Sequence, residues 1–145
     1  MNIFKATLND LEALTGLFDL YRIFYQQKSD LSGAKKFIQE RLLNEESVIY
    51  IACDESDPIG FVQLYPTFSS VSMRRTWVLN DLYVKESGRG KGIGENLIKT
   101  ALAFAKETDA KGVLLETGAD NTTAQRLYEK IGFVKETAHF YFYEI

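Results

Sequence analysis

At 145 residues the chain is one domain's worth, long enough to bury a core of its own, and no internal repeat or linker divides it. Apolar residues at 46% and charged residues at 26% are ordinary for a soluble globular protein. The net charge of −3 argues against a general nucleic-acid binder and favours cationic ligands, and no apolar stretch approaches the roughly 18 residues of a membrane span.

Asn2 to Ala6 reads as a short strand. Asn9 or Asp10 is suited to cap a helix in which Leu11, Leu14, Leu17, Phe18, Tyr21, Phe24 and Tyr25 form one wide apolar face. The first ten residues hold Lys5 and Asp10 but no long apolar run, so no signal peptide is expected. Lys28-Ser29-Asp30 breaks the helix, and a second runs from about Leu31 to Asn44. Ser47 to Asp54 and Ile59 to Phe68 read as strands joined by a tight polar turn, with Pro66 expected to end the second. Cys53 lies in the apolar run VIYIAC; as the only cysteine it forms no internal disulfide, which makes a reducing cytoplasm the default and core filling its expected role. Ser69 to Arg75 reads as a polar linker.

Trp77 to Val84 is almost entirely β-forming, with Asn80 and Asp81 the only polar residues. Gly88, Gly90, Gly92 and Gly94 then alternate with Arg89, Lys91 and Ile93, and from Glu95 the spacing turns helical, with Leu97, Ile98, Ala101, Leu102 and Ala105 on one face. Glycines just before a helix can turn successive N–H groups toward one point, and the helix adds its unpaired N–H groups and positive dipole end. With Arg89 and Lys91 beside them, this is a site for a phosphate or pyrophosphate. No register supplies the dinucleotide fingerprint G-x-G-x-x-G, and the P-loop fails because Gly92 follows Gly90-Lys91. What fits is R-x-x-G-x-G, Arg89 to Gly94.

Gly112 to Gly118 reads as the strand after the crossover helix. Asn121 is a good N-cap for a helix from Thr122 to Lys130, with Ala124, Leu127, Tyr128 and Ile131 on one face and Gly132 as its stop. Two last strands are expected, Phe133 to Glu136 and Ala138 to Tyr143; the aromatic last one would suit a homodimer contact. His139 there reads as packing or dimer contact, and no cluster has metal-ligand spacing. Antiparallel strands in a row and then a strand–helix–strand crossover point to a mixed α+β sheet.

The Arg89 to Gly94 loop, between strand and helix, resembles the acetyl-CoA pyrophosphate loop of the GNAT superfamily of N-acetyltransferases. Asn121 to Phe133 resembles the N-x-x-A-x-x-L/F-Y-x-K-x-G-F segment of the same superfamily. The resemblance implies the GNAT fold over residues 1–145: a mixed, mostly antiparallel sheet with helices on both faces. It implies transfer of an acetyl group from acetyl-CoA, as co-substrate and with no metal, to a small-molecule amine or a peptide acceptor by direct attack in a ternary complex. Under it Arg89, Gly90, Lys91, Gly92, Ile93 and Gly94 hold the pyrophosphate, main-chain groups of Leu82, Tyr83 and Val84 hold the pantetheine arm in a gap between splayed strands, and Asn121 and Ala124 flank it. Asn121 and Tyr128 are seven residues apart, about 10 Å along a helix, so one partner can touch both. The implied role of Tyr128 is general acid to the leaving thiolate; the plain alternative is a tyrosine of an apolar helix face.

Asp81 is the carboxylate by which the amine could be anchored or deprotonated, against a purely structural role. Polyamine-acetylating relatives often carry an acidic pair here, and Asn80 breaks that pair. Tyr25, Trp77, Asn80 and Asp81 are the candidates for the acceptor site, with core packing the alternative for the helix-1 aromatics. Arg74 and Arg75 beside Trp77 suit an acceptor carboxylate or, equally, a solvated edge. Acylation of protein N-termini or lysines, and a non-catalytic acyl-CoA-binding module, stand as alternative functions.

Overall fold

A computed structural model describes every residue from Met1 to Ile145. Strand β1 (Asn2–Lys5) leads through a short 3-10 turn to helices α1 (Leu11–Phe24) and α2 (Leu31–Leu43). Strands β2 (Val48–Asp54), β3 (Asp57–Ser69) and β4 (Arg74–Val84) follow, then helix α3 (Ile93–Glu107), strand β5 (Gly112–Leu114) and helix α4 (Thr122–Ile131). The sheet runs β1-β2-β3-β4-β5. Its first four strands are antiparallel neighbours, and β5 joins β4 in parallel, the pairing that requires a crossover such as α3.

Local chemistry sets the helix ends. Asp10 stands at the N-cap of α1, as expected, but without a side-chain cap bond; the capping box lies at the preceding 3-10 turn, where the Thr7 hydroxyl accepts from the Asn9 N–H at 3.2 Å while Asp10 accepts from the Thr7 N–H at 2.8 Å. Asp30 caps α2 by accepting from the Gly33 N–H at 2.9 Å. Asp19 of α1, buried, accepts from the Ser29 hydroxyl at 2.7 Å and the Asp30 N–H at 2.8 Å, tying the end of one helix to the start of the next.

Two apolar clusters sandwich the sheet. Leu14, Leu17, Ala34 and Ile38 of α1 and α2 pack on Ile49, Ile51 and Phe61. On the other face Leu97, Ile98 and Ala101 of α3 pack on Ala52, Val62, Leu64, Trp77 and Leu79. Leu14, Ile38 and Phe61 are fully buried, so truncating any of them to alanine costs about 2–5 kcal/mol.

A β-bulge in β4 governs which side chains face which layer. Gln63 pairs with Asp81 and Leu64 with Leu79, leaving Asn80 as the extra residue. Before the bulge, Trp77 and Leu79 face α3; after it, Leu82 and Val84 do, and Tyr83 joins the α1 side. Asp81 is thereby swung onto the α1 face beside Gln63, although simple alternation would leave it with Leu79.

Four expectations are corrected. Pro66 does not end β3, which continues to Ser69, because β2 stops at Val48 opposite Leu64 and β3 beyond that point has one neighbour only, a setting that tolerates proline. The expected linker is instead a tight turn between β3 and β4, with Met73 at φ +53°. The strand expected over Gly112–Gly118 stops at Leu114, and no strand forms after α4: residues 133–145 have no regular structure, and Phe140 to Tyr143 stand largely in the open.

Candidate functional site

The loop between β4 and α3 is built as an anion cradle. Gly90 and Gly92 have φ of +78° and +76°, the left-handed region open to glycine at little cost, and no neighbouring atom crowds either position. Gly92 is the N-cap of α3 and no side chain caps the helix, so its first amides are left free. The loop is fastened from below: the Lys85 N–H donates to the Ile59 carbonyl at 2.7 Å, and Arg89 Nε donates to the Val84 carbonyl at 3.0 Å. The Arg89 guanidinium also lies over the rings of Phe24 and Tyr83, at 5.7 and 5.9 Å.

From that cradle a cleft of about 260 Å³ runs along the edge of β4. The β4–β5 ladder covers only Thr76–Val78, so from Leu79 to Val84 strand β4 is hydrogen-bonded to β3 alone and its other edge is open. Leu79, Asn80 and Leu82–Val84 line one wall of the cleft, Leu115–Thr117 and residues of α4 the opposite wall, and Phe24, Tyr25 and Arg89 close one side.

Tyr128 reaches this cleft from α4, half-buried, with its ring 5.9 Å from that of Phe133. Burial, and then the neighbouring Tyr25, push its phenol above the ordinary value, so it holds its proton throughout the neutral range. Asn121 lines the cleft too, but its Oδ1 is committed to capping α4 through the Ala124 N–H at 3.2 Å, which leaves its Nδ2 to donate. Lys130 pairs with Glu95 of α3 at 3.0 Å, pinning α4 against the helix that carries the cradle and drawing the Glu95 carboxyl below its usual range.

Asp81 is 3% exposed and lies behind the cleft wall rather than on it. Asn80 Nδ2 donates to Oδ1 at 2.8 Å, and Gln63 Nε2 donates to Oδ2. Burial raises the carboxyl above the usual carboxylate range, while hydrogen bonds from Gln63, Asn80 and Tyr21 pull the other way. Its charge adds to burial in raising the phenols of Tyr21 and Tyr65. The Oε1 of Gln63 is buried with no partner.

Of the residues singled out in the sequence, the structure brings together in one cleft Tyr25, Asn80, Leu82, Tyr83, Val84, Arg89, Gly94, Asn121, Ala124 and Tyr128. Gly90, Lys91, Gly92 and Ile93 form the adjoining turn. Trp77 lies elsewhere: it is buried against α3, its ring 5.1 Å from Phe104 and its Nε1 donating to the Thr108 hydroxyl at 2.9 Å. The sequence reading missed Glu116, an exposed carboxylate on the cleft wall, and the Tyr21–Gln63–Tyr65 surroundings of Asp81. The lone acidic residue in GVLLETG was the available signal for the first; cross-strand register, invisible locally, sets the second.

The sequence model described as the Acetyltransferase (GNAT) family matches residues 14–133. An uncharacterized N-acetyltransferase of Bacillus subtilis, YhfO, is 48% identical over 137 residues, spanning 94% of this chain and 92% of that one. A probable acetyltransferase of Haemophilus influenzae is 35% identical over 80% of each chain. A crystal structure of a probable acetyltransferase superposes with a TM-score of 0.95 at 43% identity, over 100% of this chain, C-terminal residues included, and 98% of the other. With sheet, cradle and open β4 edge in place, the chain belongs to the GNAT family of acetyltransferases.

Proposed function

We propose that this protein transfers the acetyl group of acetyl-CoA to a primary amine by direct attack in a ternary complex. The observation that carries the reading is the continuity of one cleft: it begins at the uncapped start of α3, follows the open edge of β4 and is lined by Tyr128 from α4. Acetyl-CoA matches it in chemical order, with a pyrophosphate at one end, amides along the arm and an activated thioester at the other.

Amide N–H groups of Gly90–Gly94 receive the pyrophosphate, with Lys91 and the terminal nitrogens of Arg89 adding charge. The open N–H and C=O groups of Leu82–Val84 take the amides of the arm as an added strand would, and one N–H of that edge polarises the thioester carbonyl. Asn121 Nδ2 donates from the facing wall, where Ala124 leaves room. Tyr128, its proton retained by burial, donates to the sulfur as the carbon–sulfur bond breaks. Tyr25 and Asn80 face the acceptor. Asp81 acts from behind, fixing the Asn80 amide and placing negative charge near an incoming ammonium, which gives one proton to water before it attacks as the free amine; the second proton that nitrogen sheds as the amide forms restores Tyr128. The chain offers no thiol in the cleft for a covalent route, since Cys53 is buried in the α1 layer.

The test is free-thiol release from acetyl-CoA against a panel of small amines and of peptides with free N-termini or lysines. Amine-dependent release supports the reading and identifies the acceptor class; tight binding of acetyl-CoA with no turnover on any amine assigns the chain to non-catalytic binding instead.

A further inference from the structure

The Tyr128 end of the cleft has more built into it than an acyl-CoA needs. On one side stands the end of α1, where Phe24 and Tyr25 reach the cleft yet remain 54% and 57% exposed. Their rings meet edge to face at 5.3 Å, and Tyr21 lies against Tyr25 at 5.0 Å, so the pair is held as a shelf. Leu20, a neighbour of Ile23 and Phe24 at helical spacing, is exposed with them, and the apolar surface continues beyond the cleft. Contiguous exposed apolar surface beside a cleft marks a contact with something apolar.

The charges at this end are of one sign. Glu116 stands on the opposite wall, exposed and in no ion pair, and Asp81 lies buried behind Asn80. Arg89 is the only cation lining the cleft, and its Nε is bonded to the Val84 carbonyl at the pyrophosphate end. Arg74 and Arg75, which the sequence offered for an acceptor carboxylate, do not line the cleft. Arg74 Nη2 donates to the Asp109 and Ala110 carbonyls, both at 3.2 Å, and Arg75 lies over the rings of Phe68 and Trp77 at 4.6 and 5.2 Å. An acceptor carboxylate would therefore meet two carboxylates and no counter-charge. A second ammonium fares no better at the shelf, because the Arg89 guanidinium already lies over the Phe24 ring at 5.7 Å.

We propose that the acceptor is a primary amine joined by a short chain to an aromatic or similarly flat apolar group, with no carboxylate and no second amine. Glu116, with Asp81 behind the facing wall, draws in the ammonium, and the apolar group lies on the Phe24–Tyr25 shelf. Tyr25 is near enough to Tyr128 to help raise its phenol, so shelf and thioester are neighbours that a short linker spans. The assignment deepens the acetyl-transfer reading of this cleft, on which it rests for the reaction though not for the contact.

The test is kcat/KM for phenethylamine, ethylamine, putrescine and free phenylalanine. Against phenethylamine the other three lack the ring, exchange it for a second amine, or add a carboxylate. Phenethylamine is expected to exceed each by about tenfold or more, within the range by which an apolar pocket discriminates. Phe24→Ala and Tyr25→Ala, at exposed positions, are expected to bring the phenethylamine-to-ethylamine ratio toward one, a ratio in which losses common to both amines cancel. Phenethylamine titrated into the CoA-loaded protein reads the contact without turnover, with amide shifts expected at residues 20–25 and at Glu116. A preference for ethylamine, putrescine or phenylalanine, or a ratio that neither variant moves, overturns the assignment and leaves acetyl transfer in place. Shifts at the shelf with no turnover on any amine overturn acetyl transfer and uphold the assignment. Neither turnover nor shifts at millimolar amine overturns both.

Discussion

Replacing Tyr128 by phenylalanine removes one oxygen, and the structure fixes what should change. The hydroxyl enters no hydrogen bond that shifts it; burial and Tyr25 alone account for the raised phenol. Its loss therefore costs the fold less than about 1 kcal/mol, the ring and its contact with Phe133 being kept. Binding of acetyl-CoA, which rests on the cradle and the β4 edge, should be nearly unchanged. The rate should not. A positioned general acid contributes about 10²–10⁴-fold, so kcat for amine acetylation is expected to fall about 100-fold or more, some 2.7 kcal/mol of barrier. The assay is thiol release at saturating amine, with KM for acetyl-CoA measured alongside. Because burial raises the phenol, the wild-type rate should show no alkaline decline from Tyr128 below its ordinary value of 10.0. A variant that keeps more than about a third of the wild-type kcat, with unchanged pH dependence, refutes the acid role and leaves the thiolate to water.

Gly92→Ala forces a side chain into a left-handed backbone where nothing else obstructs it, so the cost is conformational, about 1–2 kcal/mol. Calorimetry should show acetyl-CoA binding weakened about tenfold or more, and equal affinity would remove the cradle from the site. Gly60→Ala places a Cβ 2.8 Å from the Tyr83 carbonyl, so β3 and β4 must part; a loss of about 2 kcal/mol or more in urea unfolding is expected, with acetyl-CoA binding reduced as the Leu82–Val84 edge shifts. Asp81 has a folded pKa above its ordinary 3.8, so the folded state holds its proton to higher pH than the unfolded chain. Its contribution to stability is thus best in acid and declines as pH rises past 3.8, and Asp81→Asn should abolish that decline. Urea midpoints of the two proteins that keep a constant offset from acid to neutral pH would contradict this.

The stretch from Trp77 to Ala105 was legible because its chemistry is local: β-formers, alternating glycines and a helical face follow one another, and each needs only its neighbours in sequence. Asn121 and Tyr128 were legible for the same reason, a cap and a face two turns apart. Asp81 was found, but not its setting. Alternation through β4 would put Trp77, Leu79, Asp81 and Tyr83 on one face, and the bulge at Asn80 reverses the phase, which depends on the register against Gln63 and Leu64. That reversal places Trp77 in the α3 core and Asp81 behind the cleft. Pro66 misled in a similar way, since whether proline stops a strand depends on which neighbours remain beside it. At the C-terminus, Phe140 to Tyr143 have the period and composition of a strand, but a strand exists only with a partner, and here these residues pair with none.

The most direct test is an amide NMR titration of the protein with acetyl-CoA. Shifts concentrated at Gly90–Gly94, Leu82–Val84 and the start of α4 are the expected result, placing pyrophosphate, arm and thioester along the one cleft. No change at those amides at millimolar acetyl-CoA, or changes confined to another face, would contradict it.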